Sequence, residues 1–159
     1  MTTLQLPNLD ARLAYLAVQY HLSRPGSELD AETKLPAAHG LGEVARELEP
    51  QLSRAVVVFE LSADQQRRLV EAAAGAMNEL KSYPLLAASG RSAAPAFHEA
   101  LRRLFPDVAA DPDEATSLAG HMLSLRRRLE RIEGPPDRPS TAQRAKRSWW
   151  RFWERGNSQ

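Results

Sequence analysis

Four histidines, His21, His39, His98 and His121, are the side chains best suited to hold a transition metal or to move a proton near neutral pH. A di-iron bundle would need Glu-x-x-His on two helices, which sets carboxylate and imidazole one turn apart on a common face. None of the four has an acid three residues before it, and neither His-Glu-x-x-His nor His-x-x-x-His occurs. They come from separate segments, so a metal or acid-base site would exist only if the fold drew three of them together. Boundary or solvent-facing positions are the simpler expectation. The chain has no cysteine, which excludes disulfides, thiolate zinc sites and cysteine nucleophiles.

Two glycine motifs have the letters of phosphate or acyl chemistry. Gly40-Leu41-Gly42-Glu43-Val44-Ala45 matches a dinucleotide fingerprint, in which bare backbone approaches a pyrophosphate at a helix start. The preceding KLPAAH is no strand and no parallel-sheet unit surrounds it, so these glycines read as an ordinary helix start. Gly90-Arg91-Ser92-Ala93-Ala94 is an incomplete nucleophile elbow, again without a strand, and Ser92 reads as a helix cap. Asp107, Asp111, Asp113 and Glu114 lie at helix starts, and Arg126, Arg127, Arg128 and Arg131 in the last turns of a helix, where the dipole accounts for both signs. The sequence therefore assigns no catalytic residue, no cofactor and no metal ligand.

The C-terminus carries a different chemistry. Residues 138–159 hold six basic side chains against one acidic, a net +5, which leaves the first 137 residues at −4. An acidic body with a basic tail places contact with an anionic partner on the tail. Wound as a helix at about 100° per residue, residues 141–155 separate into two faces. Ala142, Ala145, Trp149, Trp150, Phe152 and Trp153 fill one arc, and Arg144, Arg147, Arg151 and Arg155 fill the opposite one. Lys146 falls among the aromatics on a stem long enough to lift its charge clear. So short a helix is unstable alone in water and needs a surface. At an anionic bilayer, tryptophan suits the headgroup boundary and each basic residue adds about 1 kcal/mol. The segment is too short to span, so attachment would be reversible. A groove on a partner protein is a competing surface, and the chain's own acidic body, onto which the tail could fold back, is another. Stacking on single-stranded nucleic acid fits the two separated faces less well.

The elements that must position this tail are helices divided by prolines. Apolar spacing predicts helices over 9–23 with Asn8 as cap, 41–60, 63–83, 94–105 and 112–133, with a long loop over 24–40. Ser62-Ala63-Asp64-Gln65 has the form of a capping box. The β-branched run AVVVFEL, 55–61, has strand character, but a lone strand leaves its amides unpaired and no clear partner segment stands out, so helix is expected. The helices 63–83 and 112–133 are expected to form the spine. The small-residue face Ala72-Ala73-Ala74-Gly75-Ala76 would admit another helix closely, within the chain or across a homodimer seam.

The expected architecture is all-α: an antiparallel helical bundle of four main helices plus a short connecting helix over 1–133. A proline-rich linker over 134–140 follows, then the amphipathic tail over 141–159. Its expected role is a non-enzymatic interaction protein, attached reversibly by the tail to an anionic membrane. The alternatives are a soluble adaptor, regulatory or cargo protein whose tail docks on a partner, and a small metal-binding protein or enzyme built on the histidines. The N-terminus lacks a basic leader and carries Asp10 and Arg12 inside its apolar stretch, so a cytoplasmic protein, peripheral at the inner membrane face, is expected.

Overall fold

A computed structural model of the chain describes residues 1–30, 33–36, 40–90 and 94–132. Over these residues the protein is mostly helical, with a small two-stranded sheet. The run expected to be helical at 55–61 is strand β2 (Val56–Leu61), and its partner is the N-terminal strand β1 (Thr2–Pro7). The two pair antiparallel, with Leu4 opposite Phe59 and Leu6 opposite Val57. Those four side chains are buried, whereas Gln5, Val56, Val58 and Glu60 face outward. The ladder supplies the partners whose apparent lack had argued for helix. TTLQLP offers only two inward apolar positions, too few for alternation to stand out in the sequence. Two strands alone are marginal in water; here burying side chains such as Leu6 and Phe59 contributes about 2 to 3 kcal/mol each.

Each strand runs almost directly into a helix. After β1 comes α1 (Asn8–Leu22), and after β2, with only Ser62 between them, comes α3 (Ala63–Ser89). Asn8 is not the cap of α1, a place taken by Pro7. Its side-chain amide instead donates to the carbonyls of Leu52 (2.7 Å) and Arg54 (2.6 Å), and its N–H to that of Ala55 (3.0 Å). The start of α1 is thereby tied to the turn that launches β2. Ala11 and every residue from Leu13 to Val18 are buried, so α1 is apolar nearly all round and runs through the middle of the domain. It packs on α2 (Leu41–Leu48), α3, α4 (Pro95–Leu104) and α6 (Glu114–Ile132). The expected spine of α3 and α6 does pack together along its length. The hub, however, is α1.

The capping box forms as expected: Ser62 Oγ accepts from the Gln65 N–H at 3.1 Å, and Gln65 Oε1 accepts from the Ser62 N–H at 2.9 Å. The stripe Leu69, Ala73, Ala76, Leu80 and Tyr83 is buried. α3 does not stop at Tyr83 but continues past Pro84 to Ser89, where Gly90 in the left-handed conformation (φ 63°) ends it. The expected helix 41–60 is divided into α2, a single 3-10 turn at Glu49–Gln51 and β2. A short α5 (Pro106–Ala110) also precedes α6, in which Ala115, Leu118, Met122, Leu125 and Leu129 are buried as their spacing predicts. No helix among the described residues is long and apolar enough to cross a membrane.

Candidate functional site

All nine residues singled out as the membrane- or partner-binding surface, Arg144, Lys146, Arg147, Trp149, Trp150, Arg151, Phe152, Trp153 and Arg155, lie outside the described residues, as do the linker, His39 and Ser92. Of the remaining histidines, His121 is exposed on α6. His21 and His98 are each drawn to a glutamate, at different places. Among the described residues no three His, Asp or Glu side chains come together as metal ligands.

His98 is the histidine with the richest surroundings. Pro95 opens α4, Phe97 turns into the core, and His98 beside it is buried against α3. Its Nε2 lies 2.9 Å from Glu79 Oε1, with both side chains largely removed from solvent. Tyr83, one turn beyond Glu79 on α3, meets the imidazole edge-on with ring centres 5.5 Å apart. A cleft of about 210 Å³ opens beside this pair, walled by Tyr83, Leu86 and Ala87 of α3 and by Pro95, His98 and Arg102 of α4. In sequence His98 stands next to Glu99, which points elsewhere on the helix. The acid it uses is nineteen residues earlier on another helix, a separation for which local spacing has no signal.

The Gly40-Leu41-Gly42 motif does receive an anion at a helix start, and the anion belongs to the protein. Glu28 Oε1 accepts from the Leu41 N–H (3.1 Å) and Oε2 from the Gly42 N–H (3.1 Å), at the positive end of α2. Oε1 is also 2.8 Å from His21 Nε2. A β-carbon on Gly40 would overlap the Glu28 carboxylate, which is why glycine stands there. Gln65, besides closing its own capping box, donates from Nε2 to the Gly40 carbonyl at 3.3 Å. The glycines with the letters of a nucleotide site thus serve to fasten Glu28 onto the start of α2.

A third polar cluster joins α1 to α4. The Tyr15 hydroxyl donates to Glu49 Oε1 (3.0 Å), and Arg103 donates to the same carboxylate oxygen (3.0 Å) and to the Tyr15 oxygen (3.2 Å). The Arg103 guanidinium also lies over the Tyr15 ring, 5.5 Å from its centre. Burial pushes the Tyr15 hydroxyl above the ordinary tyrosine range, with Arg103 pulling it down and Glu49 pushing it up. Bonds to Glu49 and then Tyr15 hold Arg103 above its usual value. Since Glu49 and Arg103 are half exposed, this cluster works as a brace between helices.

No protein-family model matches the chain, and no curated protein or solved structure is significantly similar to it. What defines it is its architecture: a predominantly helical domain threaded by α1, closed at one side by a two-stranded antiparallel sheet, with a basic, tryptophan-rich segment following in the sequence.

Proposed function

We propose that this is a non-enzymatic interaction protein whose helical body is attached reversibly to an anionic membrane surface through residues 141–159. The observation that carries the reading is the division of that segment into two faces, Trp149, Trp150, Phe152 and Trp153 on one and Arg144, Arg147, Arg151 and Arg155 on the other. The charge contrast between tail and body supports it, because an acidic body is repelled by the lipid headgroups that attract the tail. So does the core of the body: among the described residues one apolar cluster runs from Leu4 to Leu129. The linker 134–140, rich in proline, suits a helical body and an amphipathic tail that act as separate units.

Flotation with liposomes tests the reading. The full chain floats with vesicles containing phosphatidylserine, stays behind with purely zwitterionic vesicles, and loses most of its binding as salt is raised. Removal of residues 141–159 abolishes flotation while the body keeps its helical circular dichroism. Equal flotation with and without the segment would defeat the reading. A full chain that never floats but captures one protein through the same residues would replace the membrane with a partner groove.

A further inference from the structure

We infer that the C-terminal end of α6 is a second contact for the anionic bilayer, with Arg127 and Arg131 meeting lipid headgroups, so that the body docks by this end and turns the α3–α4 cleft away. The inference rests on the attachment reading and adds to it the face of the body that meets the lipid.

Four arginines lie in the last two turns of α6, and their surroundings divide them in two. Arg128 donates to Asp10 and to the Gln5 carbonyl, and Arg126 lies 2.9 Å from Glu130. Arg127 and Arg131 are exposed and make no hydrogen bond or ion pair among the described residues. They stand four positions apart, so two like charges share one face of the helix a turn from each other, an arrangement that destabilises it until an anion lies between them. The helix dipole offsets Arg131, in the last turn, but fades before Arg127. Asp64, at the nearby start of α3, is no substitute, because Arg67 and Arg68 already share it.

The tether decides which end of the body approaches the bilayer. α6 ends at Ile132 and the tail begins at residue 141, and the eight residues between them span at most about 28 Å. The end of α6 lies beside the start of α3, where Gln66 donates from Nε2 to the Leu129 carbonyl at 2.9 Å. Leu86 and Ala87, which line the cleft together with Arg102, come about twenty residues later on α3, roughly 30 Å further along at 1.5 Å per residue. A tail lying on the bilayer therefore holds Arg127 and Arg131 within reach of the headgroups and leaves Arg102 at the far end. The second contact then forms at the high effective concentration that a short tether gives. Phosphate and carboxylate groups suit guanidinium, whose planar fork offers them two parallel hydrogen bonds.

The test measures partition of the full chain onto vesicles containing phosphatidylserine. Arg127→Gln and Arg131→Gln are each expected to weaken binding about threefold and the double variant about tenfold, whereas Arg102→Gln, the same loss of charge at the far end, weakens it less than about 1.5-fold. All three side chains are exposed, so the variants fold. A second measurement reads the orientation directly. The chain has no cysteine, so Ser124→Cys on α6 and Leu85→Cys next to the cleft provide single sites for a fluorophore. Energy transfer to acceptor-labelled headgroups is expected to be stronger from Ser124 than from Leu85. Equal transfer from the two, or an Arg102→Gln loss as large as that of Arg131→Gln, would overturn the inference. If the double variant binds like the parent while removal of residues 141–159 still abolishes flotation, the inference falls and the attachment reading stands. A full chain that never floats removes both.

Discussion

The ring of Tyr20, on α1, occupies the space that a β-carbon would need at Gly75, on α3. This contact, with Tyr20 also meeting Phe97 edge-on at 6.0 Å, ties α1, α3 and α4 together at one point. The small-residue face of α3 is used inside the chain here. Gly75→Ala forces the ring out of place and is expected to destabilise the protein by about 1–3 kcal/mol despite the better helix propensity of alanine. Urea unfolding of Gly75→Ala, Tyr20→Ala and the double variant checks it. If ring and methyl compete for the same space, the second change costs much less in the presence of the first.

The clasp of Glu28 on α2 predicts a similar coupling with a different physical origin. Gly40 has room for Glu28 only because it lacks a side chain, and its φ of −81° is open to any residue. Gly40→Ala therefore costs the protein the Glu28 bonds and not backbone strain. Glu28→Gln removes the charge from the helix start and weakens the contact with His21. Each variant is expected to lose about 1 kcal/mol, the scale of a helix N-terminal cap, and the pair little more than either alone. Additive losses in denaturant midpoints would mean that Gly40 and Glu28 act separately.

Tyr15 gives the stability an alkaline limit. Burial raises its folded pKa, so the folded chain holds this proton more tightly than the unfolded chain does. The associated stabilisation is present in full below about pH 10 and is lost as pH rises through the folded value. Tyr15→Phe has no such proton. At neutral pH it is expected to cost roughly 1 kcal/mol through the lost bonds to Glu49 and Arg103. Above about pH 10 its stability then falls less steeply than that of the parent chain. Parallel slopes for the two proteins would show that the hydroxyl titrates alike in both states.

How much of this was legible in the sequence follows from how local each interaction is. The buried stripe of α6 and the reciprocal bonds of Ser62 and Gln65 depend on residues within a turn of one another, and spacing alone reveals them. β1 was missed because Leu4 and Leu6 are its only inward apolar side chains and its partner is more than fifty residues away. Without that partner, Val56 to Leu61 had no ladder, and helix followed as the wrong consequence. The pairs His21 with Glu28 and His98 with Glu79 join separate segments, so the histidines could be named but their acids could not. The tail stands apart, since its case rests on sequence pattern and its residues lie outside the described part of the structure.

The sheet carries its own protection against pairing with other chains. Gln5 and Val58 stand opposite each other, and the carbonyl of each is taken by a side chain instead of by the partner strand. Arg128 donates to the Gln5 carbonyl at 2.9 Å while also meeting Asp10 at 3.0 Å, and Gln51 Nε2 donates to the Val58 carbonyl at 3.1 Å. A two-stranded sheet has two open edges, and Val56 and Val58 add exposed apolar surface to one of them, which is the combination that invites edge-to-edge association. Arg128→Ala and Gln51→Ala are each expected to cost about 1 kcal/mol or less, because both contacts are partly exposed. Together they unguard both edges. The double variant is expected to associate with rising concentration in sedimentation velocity, and Val58→Lys added to it to restore the parent state, since a lysine on an edge strand repels its counterpart in a second copy. A double variant that sediments like the parent at every concentration would show that Arg128 and Gln51 only brace the sheet within the chain.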